Sequence, residues 1–139
     1  LTPFVATFVG ENNPLFGKIK DLSGDEAKIE TSDGDFISSI DKSTNLNIGD
    51  EAISFVRPES LFIVKDGNDY KNKLSVKIEN IEFEGNVKNF YASLNSGSKI
   101  KFSVANAIDT SEIEASSQIE LGFDTSKSII LPKGALATE

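Results

Sequence analysis

Apolar and polar residues alternate along most of this 139-residue chain, in short segments that are separated by turn-forming residues. Leu74, Val76 and Ile78 show the alternation clearly, and later segments such as 90–94 and 100–104 repeat it. A period of two places alternate side chains on one face of a β-strand. The pattern predicts roughly nine or ten short strands, a number that is typical of all-β barrels and sandwiches.

Two local signals refine this prediction. Asp33-Gly34 is a strong signal for a two-residue hairpin turn, because glycine adopts the positive φ angle that such turns need. The apolar phase switches from even to odd positions near Glu79 and Asn80, which predicts a β-bulge at this point. No internal repeat is obvious in the sequence.

The first ten residues depart from the alternating pattern. The apolar residues between Phe4 and Val9 are spaced as one face of a short helix, which we expect to end at Gly10. A helix this short is marginal in isolation, so it fits a remnant of a larger fold. Because the chain begins at Leu1 and contains no Met, we expect it to be a piece of a longer protein.

The residue types that are missing exclude most catalytic chemistry. Cys and His are both absent, which removes thiolate nucleophiles, the usual zinc sites and every Ser-His or Cys-His pair. No phosphate-binding loop of the Gly-x-x-x-x-Gly-Lys-Ser/Thr type occurs, so an ATPase site is not predicted. Ser39 and Ser96 each match Ser-x-x-Lys but lack the companion motifs of β-lactamases, and acidic turns at 32–35 and 66–69 do not complete a calcium loop. We expect no catalytic, cofactor-binding or metal-binding residue.

The charge balance restricts the partners of this chain. It carries 14 Lys and Arg against 22 Asp and Glu, for a formal net charge of −8, and Arg57 is its only arginine. Phosphate contacts require a basic surface, so no nucleic-acid partner is expected. A small cationic ligand suits this charge better than an oxyanion does, and the acidic first half, residues 1–70, is where the sequence favours it.

Three stretches, taken in order, resemble the C-terminal part of the ATP-binding subunits of ABC importers. They are residues 2–13, residues 53–59 and residues 74–132. The motifs that carry the resemblance are Val56-Arg57-Pro58-Glu59, Ile81-Glu82-Phe83-Glu84-Gly85, Val104-Ala105-Asn106-Ala107 and Leu121-Gly122-Phe123-Asp124. The last three, followed by Ile130-Leu131-Pro132, lie within residues 74–132 and follow the order of the transport-associated OB (TOBE) domain. The junction at 10–13 looks most like the polyamine (spermidine/putrescine) and ferric-iron branches.

The resemblance implies an all-β fold, namely an OB-like β-barrel (TOBE) regulatory domain of two small sub-barrels after a short N-terminal helical remnant. It divides the chain into four parts. Residues 1–12 would be the tail of a nucleotide-binding domain and 13–65 a first OB-like subdomain. Residues 66–73 would be a connection, and 74–139 a second OB-like (TOBE) subdomain.

The function implied by the resemblance is that of a non-catalytic regulatory and dimerisation domain in an importer for polyamines or ferric iron. ATP and Mg would bind elsewhere in the full-length parent. The implied partners are a second copy of the domain and, through the parent, the membrane subunits of the transporter. The implied location is the cytoplasmic face of the cell membrane. The alternative is a free-standing OB-fold module that binds a small ligand.

Five residues in the matched motifs are structural or interface candidates: Arg57, Pro58, Glu59, Gly85 and Asn106. Pro58 cannot donate a ladder hydrogen bond, so a strand should end before it. The planar guanidinium of Arg57 suits a bidentate contact with a carboxylate. We therefore expect Arg57 to fix a corner of the barrel or a dimer contact. The alternative is a solvated arginine at a strand end.

Overall fold

The computed structural model describes residues 11–41, 44–65 and 70–134. Ten strands lie in these ranges: β1 (Asn13–Ser23), β2 (Glu26–Thr31), β3 (Gly34–Ile40), β4 (Glu51–Val56), β5 (Phe62–Ile63), β6 (Asn72–Glu84), β7 (Val87–Leu94), β8 (Lys99–Ala105), β9 (Gln118–Phe123) and β10 (Ser128–Pro132). Two 3-10 helices, Pro58–Ser60 and Thr125–Lys127, precede β5 and β10. The all-β prediction is confirmed. The helix predicted between Phe4 and Val9 lies outside the described residues.

The strands form two sheets of five. β1, β2, β3, β10 and β4 close into a barrel, whereas the second sheet has the order β5-β9-β6-β7-β8 and is open. The sequence predicted two sub-barrels, but within the described ranges strand pairing closes only the first. β5 and β8 are the edges of the second sheet, because no ladder joins them.

The two sheets repeat one arrangement of strands. β1, β2, β3 and β4 of the barrel correspond to β6, β7, β8 and β9 of the open sheet, in the same order of neighbours. β1 is bulged just after Ile19 and β6 just after Ile78, which confirms the bulge predicted near Asn80. This repeat corrects the expectation from the sequence, in which no repeat was obvious; a short match is nevertheless present, since Asn-x-Leu-x-x-Lys-Ile occurs at 13–19 and again at 72–78.

Each sheet takes its fifth strand from the other half of the chain. β10 follows β9 along the chain but pairs with β3 and β4 of the barrel. β5 follows β4 but pairs with β9 of the open sheet. The predicted ranges 13–65 and 74–139 did not anticipate this exchange of strands. Of the predicted connection 66–73, residues 66–69 lie outside the described residues, and the last two already belong to β6.

One apolar core joins the two sheets. The rings of Phe36, from the barrel, and Phe123, from the open sheet, are buried with their centroids 5.9 Å apart. Within the open sheet, the buried rings of Phe90 and Phe102 stack at 4.7 Å on adjacent strands. Aromatic side chains contribute large buried areas, so the first contact stabilises the packing of the two sheets and the second stabilises the open sheet itself.

Two buried asparagines add polar contacts between the sheets. The Asn13 amide donates to the Lys101 carbonyl at 2.7 Å and accepts from the Lys101 N–H at 2.8 Å. The Asn72 amide accepts from the Ile37 N–H at 2.8 Å and donates to the Ile37 carbonyl at 2.9 Å. Each side chain therefore acts as a one-residue strand partner. We call the two residues the asparagine latches, and they begin the equivalent strands β1 and β6.

Candidate functional site

Three of the five sequence candidates lie where β4 ends. β4 stops at Val56, as the position of Pro58 predicted. Arg57 is extended, with φ −70° and ψ 147°, and caps the 3-10 helix that contains Pro58 and Glu59. Its carbonyl accepts from the Ser60 N–H at 3.0 Å. The Arg57 side chain is exposed, and no ion pair involves it in residues 11–41, 44–65 and 70–134.

Replacing Arg57 with alanine is expected to leave the melting temperature of the isolated chain within about 2 °C of wild type. The reason is that the exposed side chain has no ion-pair partner among the described residues. Thermal unfolding followed by circular dichroism measures this. A drop of about 10 °C would show that Arg57 fixes a corner of the barrel within one molecule. Arg57 would then have a role within one molecule, and a dimer contact would not be needed to explain why the sequence has an arginine at this position.

The other two candidates, Gly85 and Asn106, contact each other. Gly85 lies in the turn between β6 and β7 with a φ of +60°, a conformation that L side chains disfavour. The Asn106 side chain donates to the Gly85 carbonyl at 3.0 Å, and its backbone N–H donates to the Asn86 carbonyl at 2.8 Å. Asn106 thus closes the loop after β8 onto the β6–β7 hairpin. This arrangement gives both residues a structural role.

Arg57, Pro58 and Glu59 line a cleft of about 410 Å³ between their 3-10 helix and β8. Lys101 contributes a second cation, and Glu84 extends the lining toward the Gly85 turn. The cleft therefore mixes both signs of charge. The structure brings the first three candidates together and places the Gly85 turn next to them.

A larger groove, of about 1390 Å³, lies between the two edges of the open sheet. We call it the edge groove. Residues 61–65, which include β5, form one side of it, and residues 103–105 at the end of β8 form the other. Residues 108–113 and 117–120, from the loop before β9 and the start of that strand, complete the lining. It is therefore formed where the second sheet fails to close.

Acidic side chains dominate the charged lining of the edge groove. Glu59, Asp109, Glu112 and Glu120 contribute four carboxylates, and Lys65 contributes one ammonium group. All five side chains belong to exposed residues. A groove with this excess of carboxylates attracts cations and repels anionic ligands.

Local hydrogen bonds stabilise the ionised form of one of these carboxylates. The Ser111 N–H donates to Asp109 Oδ1 at 2.9 Å. This bond, and a second one from the Ser111 hydroxyl, hold the pKa of Asp109 below its usual value. The Lys88 ammonium donates to Thr110 Oγ1 at 2.6 Å and to the Ile108 carbonyl at 3.3 Å, which fixes the loop that carries Asp109.

An apolar strip accompanies the charges in the edge groove. Leu61 and Val104 are buried at its base, and Ile119 packs against the core while remaining partly accessible. Ile108 is 50% exposed at its side. The groove therefore suits a ligand that combines positive charge with apolar surface.

The serines that match Ser-x-x-Lys have structural partners. The Ser96 hydroxyl donates to Asp33 Oδ2 at 2.7 Å, while Lys99 pairs with Glu79 at 2.9 Å. The Ser39 hydroxyl donates to the Thr125 carbonyl at 3.1 Å. In the described part of the chain, no group of three or more acidic, His or Cys residues could hold a metal ion. None of its helices has the length and apolar character of a membrane span.

Comparison with known proteins identifies the family. Residues 55–131, more than half of the chain, match the TOBE domain. The chain belongs to the TOBE domain family. The ordered motifs predicted this membership, which is now confirmed. The matched region contains all five strands of the open sheet, β5 to β9.

Two relatives of this TOBE domain are ATP-binding proteins from Fusobacterium nucleatum subsp. nucleatum. The spermidine/putrescine import ATP-binding protein PotA is 32% identical over 107 residues, which cover 73% of this chain and 28% of PotA. The Fe(3+) ions import ATP-binding protein FbpC is 32% identical over 107 residues, which cover 77% of this chain and 27% of FbpC. The chain thus spans less than a third of the length of these relatives.

A solved structure supports the OB-like fold of the TOBE domain. The cytoplasmic molybdate-binding protein ModG, in a crystal form with molybdate bound, superposes with a TM-score of 0.73 and 18% sequence identity. The superposition covers 85% of this chain and 94% of ModG. At this level of identity, the likeness concerns the fold.

The edge groove was not predicted from the sequence, although parts of its lining lie in the motifs. Of its charged lining, only Glu59 lies in a motif that the sequence singled out. Asp109, Glu112 and Glu120 come from the loop before β9 and from β9, and Lys65 lies beside them because β5 pairs with β9. The signal that could have found the groove is the repeated Asn-x-Leu-x-x-Lys-Ile, which predicts two sheets of similar strand order.

Proposed function

We propose that this TOBE domain is the non-catalytic regulatory part of an ATP-binding subunit of an ABC importer. The observation that supports the proposal most is the match over 55–131 together with 32% identity to two import ATP-binding proteins. Because the chain corresponds to 27–28% of those proteins, ATP hydrolysis, with ATP and Mg, would belong to the remainder of the parent. The names of the relatives favour a polyamine or ferric iron as the transported substrate.

The setting that we propose for the domain is a dimer of the parent subunit, held at the inner face of the membrane by the transporter's membrane subunits. The exposed Arg57 and the mixed-charge cleft beside it are the surface that we assign to the second copy. The guanidinium can bind a carboxylate of the partner in a bidentate manner. Gly85 and Asn106 would support this surface by fixing the adjacent hairpin.

A domain exchange tests the regulatory role. The corresponding segment of Fusobacterium PotA is replaced by this chain, and ATP-driven uptake of radiolabelled spermidine is measured in vesicles that contain the complete importer. We expect the chimera to recover at least about half of wild-type uptake, whereas PotA truncated before the segment should lose coupling. A chimera that behaves like the truncated subunit, although it is folded and assembled, would contradict the proposed function.

A second candidate function, binding of a small cationic ligand, is favoured by the carboxylates of the edge groove. The sequence placed such a ligand in the first half of the chain, but the groove takes only residues 59–65 from that half.

Calorimetry with spermidine and with putrescine at physiological salt should give saturable heats. Substituting Glu112→Gln and Glu120→Gln should weaken binding by roughly two- to fivefold per charge, whereas the exposed barrel residue Glu51→Gln serves as the matched control. Flat titrations would eliminate this candidate.

A further inference from the structure

We propose that the edge groove binds an extended, positively charged peptide segment, which pairs with β8 as an added strand. The proposal deepens the regulatory function by naming the chemistry of a partner, and it rests on that function only for its biological setting. The recognition mode itself follows from the two sheets and from the lining of the groove.

The closed barrel shows what the open sheet lacks. In the barrel, β10 lies parallel to β3, with Ile129 opposite Ser39 and Ile130 opposite Ile40. By the structural repeat, β5 and β8 occupy the corresponding positions in the second sheet, yet no ladder joins them. The second sheet therefore has a gap at the place where the first one has a strand pair.

Backbone groups of β8 point into this gap. The Lys101 N–H and C=O bond to the Asn13 side chain and therefore point away from β7. Hydrogen-bonding direction alternates along a strand, so Ser103, two residues further on, points its N–H and C=O to the same side. Ser103 lines the edge groove, and its hydroxyl turns back to Asn89 Oδ1 at 2.7 Å. The main chain of Ser103 is thus presented to a ligand.

The opposite side of the groove is formed by β5, the other edge strand of the open sheet. The Val64 N–H donates to the Glu120 carbonyl at 2.8 Å, so Val64 points toward β9. Its neighbour Ile63 therefore directs its own N–H and C=O away from β9 and into the groove. Unpaired strand edges are templates for an added strand, and many peptide-binding domains use them in this way.

The charge of the groove selects the occupant. A second copy of this chain would bring another net charge of −8 to four carboxylates, which disfavours self-pairing here. A peptide with lysine or arginine at alternate positions would place those side chains against Glu112 and Glu120. Its intervening apolar side chains would face the strip that contains Val104 and Ile119.

The test uses the ¹⁵N-labelled chain and an acetylated, amidated heptapeptide of alternating lysine and valine. We expect saturable shifts of the Ile63, Ser103 and Ala105 amide signals, together with slower hydrogen exchange of the Ser103 amide. A matched peptide with N-methyl groups on one edge keeps every charge but cannot form the ladder on that edge. It should bind at least about tenfold more weakly, because two or more backbone hydrogen bonds are lost.

Substitutions on the protein separate charge from strand pairing. The double variant Glu112→Gln and Glu120→Gln should weaken binding of the heptapeptide by roughly four- to twenty-fivefold. Glu51→Gln removes an exposed carboxylate from β4 of the barrel and should change nothing. Ser103→Pro removes the N–H that we assign to the ladder, and it should abolish the shifts at Ile63. The N-methylated peptide gives the same information if this variant does not fold.

Three outcomes would overturn the proposal. The first is the absence of saturable shifts with the heptapeptide. The second is equal affinity for the N-methylated and unmethylated peptides, which would leave a simple cation site that spermidine fills as well. The third is protection of Ser103 that depends on protein concentration, which would assign the edge to a second copy. If the heptapeptide binds as expected but the PotA chimera fails, the proposed function is wrong and the peptide site stands.

Discussion

Replacing Asn72 with alanine is expected to lower the free energy of unfolding by about 3 kcal/mol. The Asn72 side chain is fully buried, and its amide satisfies both the N–H and the C=O of Ile37 in the opposite sheet. Alanine removes both partners at once and leaves two main-chain groups to find others, at a cost of about 1–3 kcal/mol each. Urea unfolding followed by circular dichroism and by tyrosine fluorescence measures the change.

Asn80→Ala is the matched control for this latch. It makes the same chemical change in the same strand, but the Asn80 side chain is exposed and its contact with Glu82 is long, at 3.4 Å. We expect an effect within about 0.5 kcal/mol. If Asn72→Ala were equally mild, the Ile37 main chain would have to be satisfied by water, and the latches would not join the sheets. Asn13→Ala should act in the same direction, because Asn13 holds Lys101 in the same way.

Gly17→Ala is expected to destabilise the barrel by about 3 kcal/mol, which would lower the melting temperature by roughly 10 °C. A Cβ atom at Gly17 would lie 2.2 Å from the Glu30 carbonyl oxygen and 3.0 Å from Ile29 Cγ1. The first of these contacts is with main chain, so a change of rotamer cannot relieve it. β1 and β2 would have to separate, and their ladder at Lys18 and Glu30 would weaken.

The control for this substitution is Gly134→Ala. A Cβ atom there would meet nothing within 4 Å, and the backbone conformation is one that L residues accept. We expect an unchanged melting temperature for Gly134→Ala, measured by differential scanning calorimetry alongside Gly17→Ala. A small loss for Gly17→Ala, below about 1 kcal/mol, would mean that β1 can shift relative to β2 without breaking the barrel.

Local features of the fold could be predicted because they depend on neighbours in the sequence. The alternation at Leu74, Val76 and Ile78 predicted a strand whose even positions are buried, and all three are. The change of phase near Asn80 predicted the bulge. A turn is present at the predicted Asp33-Gly34, but the two loop residues are Ser32 and Asp33. Gly34, with φ +127°, is already the first residue of β3.

Long-range pairing could not be predicted in the same way. Phe62 and Ile63 are apolar, as the residues of many short strands are. Their pattern does not indicate that they pair with β9 instead of a strand from the first half of the chain. The latches were missed because an asparagine at a strand start is common, and only the geometry shows Asn13 and Asn72 bonded across the sheets. The edge groove depends on the pairing of β5 with β9, so the sequence motifs reached only parts of its lining, at Glu59 and at Val104-Ala105.

The exchange of fifth strands makes each half of the chain depend on the other. A polypeptide cut between β5 and β6 would be a two-piece protein, in which the first piece supplies β5 and receives β10. Neither piece alone could complete its sheet, whereas the two together retain every ladder of the intact chain. The unit that a gene fusion or truncation must preserve is therefore the whole span from β1 to β10. A shortened version that ends before Ser128 would lack β10, and the barrel would then be open between β3 and β4.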